Sequence, residues 1–121
     1  MPHRILVVDD EQIIRDSISF VLKKEGYTIE EAPNGKVAFD KISEEPFDVV
    51  ITDIEMPVMN GLELIKAVKD SGEYRGLPII VVSSYMDYRE RLVALGVRTM
   101  VDKSTFSVSA FMQAITKEGV V

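Results

Sequence analysis

A chain of 121 residues, 46% hydrophobic and 28% charged, fits one compact domain over residues 1–121, with apolar mass for a core and no room for a second catalytic domain. A formal charge of -6 and a pI near 4.8 argue against direct nucleic-acid binding, which needs clustered Lys and Arg. Zero cysteines exclude disulfides, thiol catalysis and thiolate metal sites, and a single histidine, His3, excludes a histidine triad or a multi-histidine zinc centre.

The first apolar run, Ile5 to Val8, has no polar alternation, as expected of a strand covered on both faces. It is also too short for a signal-peptide core before Asp9 and Asp10 interrupt it. Ile14, Ile18, Val21 and Leu22 then share a helical face, ended by Gly26. Thr28 to Glu31 is a weaker strand nearer an edge. Asn34-Gly35 turns into a second helix around Ala38 and Ile42. Val49 to Thr52 is a third strand and Leu62, Ile65 and Val68 face the core from a third helix. Ile79 to Val82 is a fourth strand; Tyr88, Leu92 and Leu95 make a short helix before Gly96. Thr99 to Val101 is the fifth strand, and Val108, Phe111, Met112 and Ile115 form the core-facing stripe of a last helix. Five β-α repeats predict a parallel sheet with helices on both faces, because parallel pairs require long right-handed crossovers. No run approaches the roughly 20 apolar residues of a membrane span, so the expected location is the cytoplasm.

Polar residues collect where these strands end: Asp9 and Asp10 after the first, Asp53 after the third, Ser83 at the fourth and Lys103 past the fifth. Ligands of open α/β sheets bind at the carboxyl ends of the strands. Singly, each residue has a plain explanation, such as Asp10 and Glu11 favouring a helix N-terminus or Ser83 capping the fourth helix. Together they are harder to explain that way, because three carboxylates in one cleft repel unless a cation shares them. An all-oxygen site of this kind suits Mg²⁺. Lys103 and the Ser83 hydroxyl would complete a phosphoryl site, with the Asp53 carboxylate as the nucleophile that becomes an acyl phosphate.

Val7-Val8-Asp9-Asp10-Glu11, the run Asp53-Ile54-Glu55-Met56-Pro57-Val58-Met59-Asn60-Gly61, Leu77-Pro78 with Ser83, Ala94-Leu95-Gly96, and Lys103 together resemble the receiver domain of two-component response regulators over essentially the whole chain. The resemblance implies an α/β, flavodoxin-like (βα)5 three-layer sandwich with strand order 2-1-3-4-5. It implies phosphorylation of Asp53 by a sensor histidine kinase or phosphotransfer protein. Asp10 and Asp53 would ligate Mg²⁺ directly, Asp9 through water, and Glu55 through its backbone carbonyl. Lys103 would pair with the phosphoryl oxygens. Ser83 would move toward the phosphate and rearrange the surface of helix four, strand five and helix five. The partner that reads this surface would be a downstream protein or a fused output domain, with the receiver a monomer or a phosphorylation-dependent dimer.

Two positions depart from the family pattern. Met100 stands at the switch position usually aromatic; a flexible thioether occupies more than one pocket, so a less two-state rearrangement driven by Ser83 is expected. Ser104 replaces the usual cis-proline, and because a cis bond before a non-proline residue costs about 2.5–4 kcal/mol, a trans Lys103-Ser104 bond is expected. Lys103-Ser104-Thr105-Phe106 resembles receivers fused to chemotaxis-type kinases or coupling proteins. Glu55 and Tyr85 either slow loss of the phosphoryl group or are ordinary loop residues. Three rivals remain. A haloacid-dehalogenase-type phosphatase would need an Asp-x-Asp pair, whereas Asp9 and Asp10 are adjacent. A flavodoxin would need a Ser/Thr/Gly-rich phosphate loop where this one is acidic. The third is a receiver-fold interaction module working without phosphorylation.

Overall fold

The computed structural model describes residues 3–83, 88–104 and 107–119. Five strands alternate with five helices: β1 (Arg4–Val8), α1 (Gln12–Lys24), β2 (Thr28–Ala32), α2 (Gly35–Glu44), β3 (Val49–Thr52), α3 (Gly61–Asp70), β4 (Ile79–Ser83), α4 (Arg89–Ala94), β5 (Thr99–Asp102) and α5 (Val108–Lys117). The strands form one parallel sheet in the order β2-β1-β3-β4-β5.

Successive side chains of a strand point to opposite faces, and the unbroken apolar runs therefore feed two cores. Leu6, Val8, Val50, Ile79 and Val81 meet Ala38, Ile42, Leu62, Leu64, Ile65, Val68 and Leu92 of α2, α3 and α4. Ile5, Val7, Val49, Ile51, Ile80 and Val82 meet Ile18, Leu22, Phe111, Ala114 and Ile115 of α1 and α5. The result is a three-layer sandwich. Each of the large side chains buried in these layers contributes on the order of 1.5–3 kcal/mol, which outweighs the modest helix propensity of short segments such as α4.

Local chemistry sets the element ends. The Asn34 side chain accepts from the Val37 N–H at 2.9 Å and opens α2. Asn60 and Glu63 form a reciprocal capping box at α3, at 2.9 and 3.0 Å. Ser107 caps α5 through the Ala110 N–H. Gly26 and Gly96, with φ of 96° and 88°, take the left-handed conformation just past α1 and α4.

Two expectations are corrected. Val108 opens α5 with 44% of its surface exposed rather than in the core stripe, because it lies in the first turn, where the helix has not yet reached the sheet. Ser83 does not cap the fourth helix: it ends β4, and Tyr88 occupies the N-cap of α4.

Candidate functional site

The parallel register brings the strand ends to one edge. Val8 pairs with Thr52, Thr52 with Val81, and Ser83 with Asp102. The ladder continues one residue beyond the strands: the Asp9 N–H donates to the Ala32 carbonyl at 3.2 Å, Asp53 to Val8 at 3.0 Å and Lys103 to Ser83 at 3.0 Å. These backbone bonds place Asp9, Asp53 and Lys103 side by side at the carboxyl edge, beside Ser83.

Their side chains converge. Lys103 Nζ lies 2.9 Å from Asp9 Oδ2 and 3.0 Å from Asp53 Oδ2, with Glu11 Oε1 farther out at 3.6 Å. Asp9 and Asp53 are buried and Asp10 is exposed. Each of these three aspartates offers one carboxylate oxygen, and the three atoms lie within 4.8 Å of one another. Such a grouping of hard oxygen donors could hold a divalent cation. Ser83, also buried, ends the strand beside Lys103.

Burial pushes the Asp53 carboxyl above its usual range, opposed by the Lys103 hydrogen bond and the Ile54 N–H, which donates to Oδ1 at 2.7 Å; the neighbouring Asp9 charge adds to the rise. Burial alone would lower Lys103, but hydrogen bonds from its ammonium to Asp9 and Asp53, together with their charges, raise it above the ordinary lysine value. Lys103 is therefore a fixed cation shared by two carboxylates.

The loop after Asp53 packs without spare space. The Gly61 N–H donates to the Ile54 carbonyl at 2.8 Å, and a β-carbon on Gly61 would collide with the Asp53 carbonyl oxygen. The Gly35 N–H donates to the Met59 carbonyl, tying this loop to the start of α2. Val58 at the tip has φ 68° and is 78% exposed. Asn60, which caps α3, and Gly61 thus shape the end of this loop.

Met100 is half-buried and packs against the core cluster containing Leu92 of α4. The bond between Lys103 and Ser104 is trans, as expected, with no cis peptide among the described residues. Ser104 instead donates from both its N–H and its hydroxyl to Asp102 Oδ1, at 2.9 and 2.7 Å, which holds the Asp102 carboxyl below its usual range. Tyr85, Thr105 and Phe106 lie outside the described residues. Sequence reasoning missed two contacts: the Tyr88 hydroxyl donates to Glu55 Oε1 at 3.0 Å, and Arg15 bonds to the Asp9 carbonyl. Neither pair has a spacing that signals contact.

A family model described as the response regulator receiver domain matches residues 5–116. The chain belongs to this family. The receiver is 38% identical over 95 residues to the response regulator MprA of Mycolicibacterium vanbaalenii, covering 78% of this chain and 40% of that protein. It is 29% identical over 116 residues to the gliding motility regulatory protein of Myxococcus xanthus, covering 94% of this chain and 15% of that one. The receiver thus spans well under half the length of these curated relatives. Among solved structures, the response regulator TrrA of Thermotoga maritima, in complex with Mg²⁺-BeF, is 36% identical with a TM-score of 0.87, over 98% of this chain and 99% of that one. The chemotaxis response regulator CheY4 of Vibrio cholerae is 30% identical with a TM-score of 0.88, over 98% and 99%. Receiver domains are signalling switches rather than substrate-turnover enzymes.

Proposed function

We propose that residues 1–121 act as one phosphorylation-activated switch in which Asp53 accepts a phosphoryl group from a phosphohistidine on a sensor histidine kinase or phosphotransfer protein. The observation that carries this reading is the meeting of Asp9, Asp10 and Asp53 around a lysine held between two of them. A carboxylate oxygen of Asp53 forms the new bond to phosphorus as the bond to the donor imidazole nitrogen breaks, and the imidazole leaves with the electron pair and takes up a proton. Lys103, already beside Asp53 Oδ2, neutralises charge on the transferred oxygens.

The donor set is all oxygen and strongly acidic, which fits Mg²⁺. Asp10 and Asp53 would bind it directly, Asp9 through water, and Glu55 through its backbone carbonyl. When bound, it supplies positive charge to the phosphoryl oxygens and relieves repulsion among the aspartates. The Ser83 hydroxyl then turns toward the phosphate, and Met100 repacks as the α4-β5-α5 surface changes. A downstream protein or a fused output domain would read that surface in the cytoplasm, with the receiver acting as a monomer or as a phosphorylation-dependent dimer. Direct contact with nucleic acid has no support in the charge of the chain.

The test is intact mass after incubation with acetyl phosphate, with and without Mg²⁺, for the wild type and Asp53→Asn. One phosphoryl adduct that needs both Mg²⁺ and Asp53 is the expected result. No adduct from acetyl phosphate or from a phosphohistidine donor would instead make the chain an interaction module working without phosphorylation.

A further inference from the structure

Asp10 is the least constrained member of the acidic cluster. Its exposed carboxylate makes no hydrogen bond or ion pair among the described residues, whereas Asp9 is held on every side. The Asp9 N–H donates to Ala32, its Oδ1 accepts from the Glu11 N–H at 2.9 Å, and its Oδ2 faces Lys103. What orients Asp10 is therefore the peptide that joins it to Asp9. The oxygen of that peptide accepts a 2.6 Å hydrogen bond from Arg15 Nη1.

Arg15 is itself fixed. It sits one turn into α1, its own N–H bonded to the Glu11 carbonyl at 3.0 Å, and its Nε donates to Glu31 Oε1 at 3.1 Å on β2. Its side chain is only 15% exposed. A planar guanidinium with two donors engaged in different directions has little freedom to turn. We propose that Arg15 is a positioning residue for the cation site: by clamping the Asp9 carbonyl it sets the plane of the Asp9-Asp10 peptide and holds the Asp10 carboxylate beside Asp9 and Asp53. This inference rests on the reading of the acidic cluster as a Mg²⁺ site, and adds a residue that touches no metal ligand atom.

The sign of the effect separates this role from simple electrostatics. Arg15 is a cation near a cation site, so by charge alone its removal strengthens Mg²⁺ binding. Loss of positioning weakens it, and partners of metal ligands of this type change affinity by about tenfold or more when removed.

The experiment is calorimetric titration of Mg²⁺ into the unphosphorylated wild type, Arg15→Gln, Arg15→Lys and Glu31→Gln, with urea unfolding of each. Arg15→Gln is expected to bind Mg²⁺ about tenfold more weakly. Glu31→Gln breaks only the ion pair between α1 and β2, and is expected to stay within about twofold of the wild type, the scale of a partly exposed pair. Equal or tighter binding by Arg15→Gln would overturn the proposal, and so would equal losses in Arg15→Gln and Glu31→Gln, which would make Arg15 a tie between elements. If Arg15→Gln does not fold, Arg15→Lys decides: it keeps the charge but not the two-way clamp, so weakened binding supports the role and unchanged binding overturns it. A wild type that binds no Mg²⁺ would remove the metal-site reading itself, a failure distinct from a wild type that binds and an Arg15→Gln variant that binds equally well.

Discussion

Replacing Lys103 with methionine keeps most of the stem's volume and removes one charge. In the folded domain that charge lies 2.9 Å from Asp9 and 3.0 Å from Asp53, with side chains 9%, 2% and 10% exposed respectively. The gross attraction at about 3 Å is roughly 5 kcal/mol per pair at an effective dielectric of about 20. Most of that is offset by desolvation, but truncating one side of a buried pair leaves the other uncompensated, typically at a cost of about 3–5 kcal/mol. Here two carboxylates are left facing each other, so Lys103→Met is expected to lose about 3 kcal/mol near neutral pH, a large part of the roughly 5–15 kcal/mol of a small domain. Without the lysine the Asp53 carboxyl rises further above its unfolded value. Protonation then relieves the repulsion, and the deficit shrinks as pH falls through the raised Asp53 value. If Mg²⁺ binds as proposed, it is expected to replace the missing positive charge and narrow the deficit at neutral pH. Urea unfolding of both proteins at two pH values, with and without Mg²⁺, measures each part. A deficit below about 1 kcal/mol, or one independent of pH, would refute the account of Lys103 as the internal counter-ion of the acidic cluster.

Asp53, raised above 3.8 by burial, makes stability fall as pH rises from its unfolded value through its folded one, because the unfolded chain ionises first; Asp53→Asn is expected to flatten this part of the metal-free stability profile, as measured by urea unfolding against pH. Ser19 Oγ is buried in α1 with no hydrogen-bond partner among the described residues, so Ser19→Ala is expected to raise stability by about 1 kcal/mol, seen as a higher denaturation midpoint at unchanged slope. Val58 holds φ 68° at an exposed loop tip, and Val58→Asn is expected to relieve about 1 kcal/mol of strain, again read from urea unfolding. Gly61→Ala forces a β-carbon against the Asp53 carbonyl, so it is expected to cost about 1–3 kcal/mol and to slow phosphorylation by acetyl phosphate, followed by intact mass.

Much of the fold was legible because the relevant signals are local. Strands buried on both faces need unbroken apolar runs, so Ile5 to Val8, Val49 to Thr52 and Ile79 to Val82 stand out. Gly26 and Gly96 mark ends through a left-handed backbone that few residues adopt, and Asn34 marks one through a side chain that accepts from a helix N–H. Asp9, Asp53, Ser83 and Lys103 were visible as a group because a parallel sheet delivers every strand end to the same edge. Val108 misled because helical spacing shows which residues share a face but not how soon a helix reaches the core.

The sequence by itself determined the alternation of strands and helices, the sheet edge that carries the polar residues, and the excess of carboxylates needing a cation, since spacing and charge are properties of the chain. Only the tertiary structure decided which carboxylates share Lys103, that Ser104 turns back onto Asp102, and that Arg15 reaches from α1 to the Asp9 carbonyl. Apart from the Ser104 turn, which is a local bond between residues two apart, those outcomes depend on distances of a few ångströms between residues from different parts of the chain. Such distances arise from how five helices settle onto a twisted sheet, and no local pattern of residues encodes them.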